Sequence, residues 1–256
     1  MTEPVVITRP RLQCVELAKR LDAAGRSTVV FPLLEISPLP DTTGLRAALD
    51  RLHEFALAAF VSPNAIDATF AHICQWPTTV ALAVMGESSR QALARHGVTA
   101  DKYFITSPLD ARRSDSQTLL EALDLAQLRS AKVLILRGET GRELLADALR
   151  SAGAEVEQIA AYRRTATVLT PSLTIELRHL LNTDNCWVIT SSEALQVLMQ
   201  HVEQVEPQSG VVKIQRKKLF VPHVRIQEVA LALGFQSVVL TDAGDDGLFS
   251  TLQFRS

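Results

Sequence analysis

Two stretches of this 256-residue chain superpose without a gap at an offset of 128, half its length. Ile7 falls on Ile135, Arg9 on Arg137, Leu17 on Leu145, Leu21 on Leu149 and Gly25 on Gly153. The later copy is the easier to read. Val133-Leu134-Ile135-Leu136 is a short apolar run of the kind that forms a strand buried on both faces. It ends at Arg137-Gly138, where a glycine permits a sharp turn. Leu144, Leu145, Ala148, Leu149 and Ala152 then recur at helical spacing, opposite Glu143, Asp147 and Arg150. Gly153 stands where a helix C-cap belongs, and Val156 to Tyr162 reads as the next strand. Such a strand–turn–helix–strand unit points the groups of its first turn outward from the carboxyl edge of a parallel sheet. Two copies indicate an internal duplication.

The rest of the chain alternates in the same way. Strands are expected at 57–61, 80–85, 103–106, 186–190, 218–221 and 238–240. Helices are expected at 45–55, 65–74, 90–96, 117–125, 172–181, 193–202, 224–233 and 246–252. Residues 108–116 and 206–210 read as loops. Steady alternation means α/β architecture: two similar, doubly wound parallel-sheet domains. Phe31 to Pro40 holds three prolines and reads as an extended connector rather than a central strand. Tyr162 to Leu169 is a second connector. Periodicity alone allows either a cut near residue 128 or a discontinuous division.

A net charge of −2 draws neither nucleic acid nor an anionic membrane, so any anionic ligand needs locally placed donors. The three cysteines, Cys14, Cys74 and Cys186, are far apart and lack metal spacing, which fits reduced thiols in the cytoplasm. The longest apolar runs, about seven residues, are far below the ~20 of a membrane span. No signal peptide is expected, because Val5 opens a strand almost at once. The six histidines are scattered and argue against a metal site. Gly138-Glu139-Thr140-Gly141-Arg142 lacks the spacing and Lys-Ser/Thr ending of a phosphate-binding loop, and no GxGxxG follows a strand. No serine lies in a G-x-S-x-G elbow.

Six strand-to-helix turns carry polar groups: Thr8-Arg9, Ser62 to Asn64, Gly86 to Ser89 with Ser88, Arg137 to Gly141, Thr190 to Ser192, and His223 to Arg225. Each presents backbone N–H groups at a positive helix end, which favours carboxylate or phosphate. For any one turn a plain helix cap explains the Ser or Thr as well. The six together, with their arginines, point to an anion-binding cleft. His223 reads as a cap or surface group before a base. Tyr162, beside Arg163 and Arg164, is either a half-buried strand tyrosine or a hydroxyl whose phenolate those arginines would stabilise.

ITRP at 7–10, FVSPNAI at 60–66, LRGETGRELL at 136–145 and YRR at 162–164 resemble uroporphyrinogen-III synthase. So do ITSSEAL at 189–195 and FVPHVRIQEVALALGF at 220–235. The likeness runs from Val5 to about Leu252. It implies that residues 1–33 join 167–256 in one domain, that 34–166 form the other, and that the two connectors make a two-segment hinge. It implies a cofactor-free enzyme of haem biosynthesis that closes linear hydroxymethylbilane to uroporphyrinogen III. In the family scheme the terminal hydroxyl leaves, an azafulvene forms, and ring D attacks through its substituted carbon. The resulting spiro pyrrolenine fragments and recloses with ring D inverted. Tyr162 matches the family's proposed catalytic tyrosine. Arg9, Ser62, Asn64, Ser88, Arg137, Gly138, Gly141, Ser191 and Ser192 would bind substrate carboxylates. His223 and Arg225 would join them, although relatives often carry Ser or Thr at that turn. A monomer with no nucleic-acid or membrane partner is expected. The rival reading is a non-catalytic two-domain sensor of a small anion, which needs the same donors but no Tyr162 chemistry.

Overall fold

The computed structural model describes residues 3–108, 116–141, 143–242 and 244–254. Residues 109–115 of the expected polar loop lie outside them. Eleven strands occur among the described residues: β1 Val5–Ile7, β2 Thr28–Val30, β3 Leu34–Ser37, β4 Leu57–Phe60, β5 Ala81–Val84, β6 Ile105–Thr106, β7 Lys132–Gly138, β8 Glu155–Ala166, β9 Cys186–Val188, β10 Lys218–Val221 and β11 Ser237–Leu240. The chain divides into two compact units, Met1–Glu35 with Thr165–Ser256, and Ile36–Arg164.

One sheet runs β11-β10-β9-β1-β2 and the other β3-β8-β7-β4-β5-β6. Apart from the edge strand β3, the two orders are the same sheet built twice. β1 and β7 carry the first strand of the duplicated unit, β2 and β8 the second, and β9 and β4 flank the first strand in parallel. β10 and β11 continue one sheet in parallel, as β5 and β6 continue the other. Leaving β3 aside, each half of the sequence therefore contributes two strands to one sheet and three to the other. A cut near residue 128 would separate β1 from β9 and β4 from β7.

The central strands are buried on both faces because their alternate residues enter different cores. Val6, Trp187, Leu219 and Val221 pack into one cluster, while Val5, Ile7, Cys186, Val188 and Phe220 pack into the cluster on the opposite face. In the second unit Ala58, Phe60, Leu134 and Leu136 lie on one side, with Leu57, Ala59, Val133 and Ile135 on the other. Each large aliphatic side chain so buried contributes about 1.5–3 kcal/mol, so a polar residue at any of these positions would be severely destabilising. The duplicated helices end as their glycines require: Gly25 has φ +79° and Gly153 φ +93°, a left-handed conformation costly for other residues.

Three departures from the sequence reading follow from local chemistry. The proline-rich connector contains a strand, β3, between Pro32 and Pro38; it is an edge strand, where proline costs least. β8 continues four residues past Tyr162 to become its neighbour. A short helix, Gly210–Gln215, follows the expected loop at 206–210.

Candidate functional site

Ser62 follows β4 and caps the helix Pro63–Phe70: its Oγ accepts the N–H of Ala65 at 3.2 Å, with Pro63 at the first helical position. The same hydroxyl donates to Tyr162 Oη at 3.2 Å. Tyr162 reaches it through an irregularity. β7 and β8 pair Arg137 with Ala160 but Gly138 with Tyr162, leaving Ala161 as an extra residue. Successive strand residues normally face opposite ways, yet Ala161 and Tyr162 are both buried in the cluster that holds Phe60 and Leu136. The bulge re-aims the tyrosine toward the Ser62 cap. Gly138 makes room for it, since a Cβ there would lie 3.0 Å from Tyr162 Cζ and 3.2 Å from its Oη. Tyr162 is 5% exposed.

Ser191 is the counterpart of Ser62 in the other unit. It follows β9, caps the helix Ser192–Val205, and its Oγ accepts the N–H of Ala194 at 3.0 Å. The duplication offset places Leu34, buried and apolar, opposite Tyr162. Only one unit therefore carries the hydroxyl pair, although both carry the cap. Ser192 Oγ is buried without a hydrogen-bond partner among the described residues. Across the same edge Thr8 is buried and its hydroxyl donates to the Val188 carbonyl at 2.6 Å. His223 caps the helix Val224–Ala232, its Nδ1 accepting the N–H of Arg225 at 3.1 Å, while the Arg225 side chain is exposed.

The two duplicated arginines are both committed to acids of their own unit. Arg9 pairs with Asp245 and donates through Nε to Gln13 at 3.2 Å. Arg137 is 9% exposed, and its Nη1 donates to Glu143 and to Gln158, each at 2.6 Å. Gln158 also donates to Glu143, so three side chains close a ring. The Gln158 hydrogen bond, then that of Arg137, holds the Glu143 carboxyl below the usual carboxylate range. A Cβ on Gly141 would come within 2.7 Å of Arg137 Nη2, so that glycine accommodates the guanidinium. These pairs hold each arginine at the turn that follows β1 or β7. The acids were missed in the sequence because Asp245 lies 236 residues from Arg9, and Glu143 read as an exposed helix residue. Arg163 forks onto Glu139 at 2.7 and 2.8 Å, and Ser62 is the group that touches Tyr162 Oη.

Asn64 lies in the first turn of the Ser62-capped helix, half-buried. Ser88 is exposed near the start of the helix Glu87–Arg95, whereas its neighbour Ser89 is 1% exposed. No cluster of three or more metal-ligating side chains occurs among the described residues, and no helix is long and apolar enough to cross a membrane. What the two carboxyl edges share is a set of first-turn amides directed at one edge, suited to carboxylates. What distinguishes one of them is a tyrosine hydroxyl held by a serine.

Residues 15–250 match the family model described as "Uroporphyrinogen-III synthase HemD". The chain is similar to the uroporphyrinogen-III synthase of Escherichia coli, with 31% identity covering 97% of this chain and 99% of that protein. Its likeness to the enzyme of Salmonella typhimurium is 32% identity over the same shares. Among solved structures, uroporphyrinogen-III synthetase from Helicobacter pylori matches with a TM-score of 0.62 at 16% identity, covering 100% of both chains. A uroporphyrinogen III synthase mutant from Thermus thermophilus matches with a TM-score of 0.60 at 14% identity, covering 98% of both. The solved structures support the two-domain α/β fold; the sequence matches carry the family.

Proposed function

Because the chain belongs to the uroporphyrinogen-III synthase family, we propose that it closes linear hydroxymethylbilane to uroporphyrinogen III, inverting ring D and releasing water. The single observation that carries a catalytic assignment is the Ser62–Tyr162 hydroxyl pair, present in one unit and replaced by Leu34 at the matching position of the other. Two copies of one scaffold allow an internal comparison, and this hydroxyl pair sets one copy apart from the other.

In this reading Tyr162 gives its proton to the terminal hydroxyl as that group leaves as water. The Ser62 hydroxyl donates into Tyr162 Oη, which leaves the tyrosine proton directed elsewhere and meets the charge that develops on the oxygen. The azafulvene is then attacked by the substituted carbon of ring D, and the spiro intermediate fragments and recloses. The first-turn amides beyond Ser62 and Ser191 hold substrate carboxylates, with Asn64, Ser192 and Arg225 beside them. Arg9 and Arg137 act one step back, fixing their turns through Asp245 and Glu143. Much of the rate comes from holding a flexible substrate in one geometry. The protein works on this reading as a cytoplasmic monomer, a compartment that accords with two buried, unpaired cysteines.

Incubating the protein with hydroxymethylbilane and resolving the product isomers tests the assignment. Type III product is expected in excess. Type I product alone, the outcome of spontaneous closure, overturns it. Tight binding without turnover would favour the anion-sensor reading.

A further inference from the structure

We propose that the unit formed by Met1–Glu35 and Thr165–Ser256 carries a second anion site, at the amino edge of its sheet, that takes a compact polyanion of the pyrophosphate class. A cavity of about 400 Å³ opens there. Glu3 stands before β1, Asp184 and Asn185 before β9, and Lys218 and Ser237 begin β10 and β11. The cavity thus lies under the first residues of four adjacent parallel strands. Thr8, Ser191 and His223 follow the last residues of three of those strands, so the cavity and the carboxyl-edge turns occupy opposite ends of one sheet.

Charge is concentrated at this end. The turn between the helix Gly210–Gln215 and β10 brings Arg216, Lys217 and Lys218 to one cavity, with Lys213 from the helix itself. Lys213 is already paired with Glu206. The Arg216 and Lys218 side chains, both exposed, make no ion pair or hydrogen bond among the described residues, while their backbones are held by Lys213 and by the sheet. The Lys217 ammonium donates one bond, 2.5 Å to the Thr183 carbonyl, and is only partly exposed. Burial pushes its pKa down, against the pull of Asp184 and Glu3. Arg216 and Lys218 are exposed, and Lys217 is partly desolvated, with Asp184 and Glu3 the charges that act on it. A polyanion in the cavity offers charge-assisted acceptors to all three and replaces the hydration Lys217 has lost. The floor is rigid: Asn185 is 2% exposed, donates to the Leu180 and Thr183 carbonyls at 2.7 and 2.9 Å, and accepts from Trp187 Nε1 at 2.8 Å. Glu3 and Asp184 offset part of the field, so a monoanion gains least and a compact group with several charges gains most.

Pyrophosphate titrated into the ¹⁵N-labelled full chain, against sodium chloride at matched ionic strength, tests the proposal. Amide shifts are expected at residues 183–185, 216–218 and 237. In the Arg216→Ala/Lys218→Ala variant, affinity should fall about tenfold or more. That variant should still close hydroxymethylbilane at the unaltered rate, which separates this site from the proposed catalytic one. A milder Arg216→Gln/Lys218→Gln pair provides the same readout should the alanine variant fold poorly. Shifts confined to the turns after Ser62 and Ser191, unchanged affinity in both variants, or no binding at all would overturn it.

Discussion

Ser62 and Tyr162 lie one hundred residues apart in the chain, and their hydroxyl oxygens are 3.2 Å apart in the fold. The contact depends on two further features: a cap that orients Ser62 and a bulge that turns Tyr162 toward it. The cap recurs at Ser191 in the other unit, but Tyr162 has no counterpart there, because Leu34 occupies the matching position.

Removing the hydroxyl should separate chemistry from packing. Tyr162→Phe keeps the ring among Phe60 and Leu136, so circular dichroism and melting temperature should barely change. Turnover is expected to fall by roughly 10²–10⁴, toward the low end if buffer supplies part of the proton. Type I isomer should take over the product mixture. An unaltered rate with unaltered type III yield would make Tyr162 a packing residue.

Gly138→Ala should disturb the same pair from the other side. Its new Cβ would meet Tyr162 Cζ at 3.0 Å, and the crowding should cost about 1–3 kcal/mol of stability. Turnover should fall as the ring leaves Ser62. In the Tyr162→Phe background the same substitution should cost little further activity, because both changes act on one contact. Simple additivity in that double-mutant cycle would refute the link.

The Arg137–Glu143–Gln158 ring should show in acid. Glu143 is held below its ordinary value of 4.5, first by Gln158 and then by Arg137. A carboxyl with a depressed folded-state pKa stabilises the fold fully above its unfolded-state value. That contribution is lost as pH drops through the folded-state value. Melting temperature of the wild type should therefore decline as pH falls below about 4.5, and Glu143→Gln should flatten part of that decline. Parallel curves for the two proteins would exclude the ring as the source.

Thiol reactivity should single out one cysteine. Cys74 is exposed, whereas burial pushes Cys14 up to about 12 and Cys186 up to about 11. Only thiolate reacts, so Ellman's reagent should titrate one thiol rapidly in the native protein and three after unfolding. Two or three fast thiols in the native state would contradict this burial.

The sequence by itself determined most of the elements and the turns between them, though not β3 or the helix Gly210–Gln215. Strand periodicity, the caps at Ser62 and Ser191, the left-handed Gly25 and Gly153, and the duplication are legible because each rests on interactions within about one turn or one strand. The capping role of His223 was readable for the same reason. Tertiary structure alone decided which strands meet. β1 pairs with β9, some 180 residues away, and equally good apolar runs were available in its own half. It also decided what the polar side chains face. Arg9 and Arg137 look like ligand donors until Asp245 and Glu143 are brought against them. Tyr162 looks like one face of a regular strand until the bulge at Gly138 changes its direction. Pairing across a sheet is non-local, and a one-residue slip in it reverses a side chain, so no local pattern encodes either.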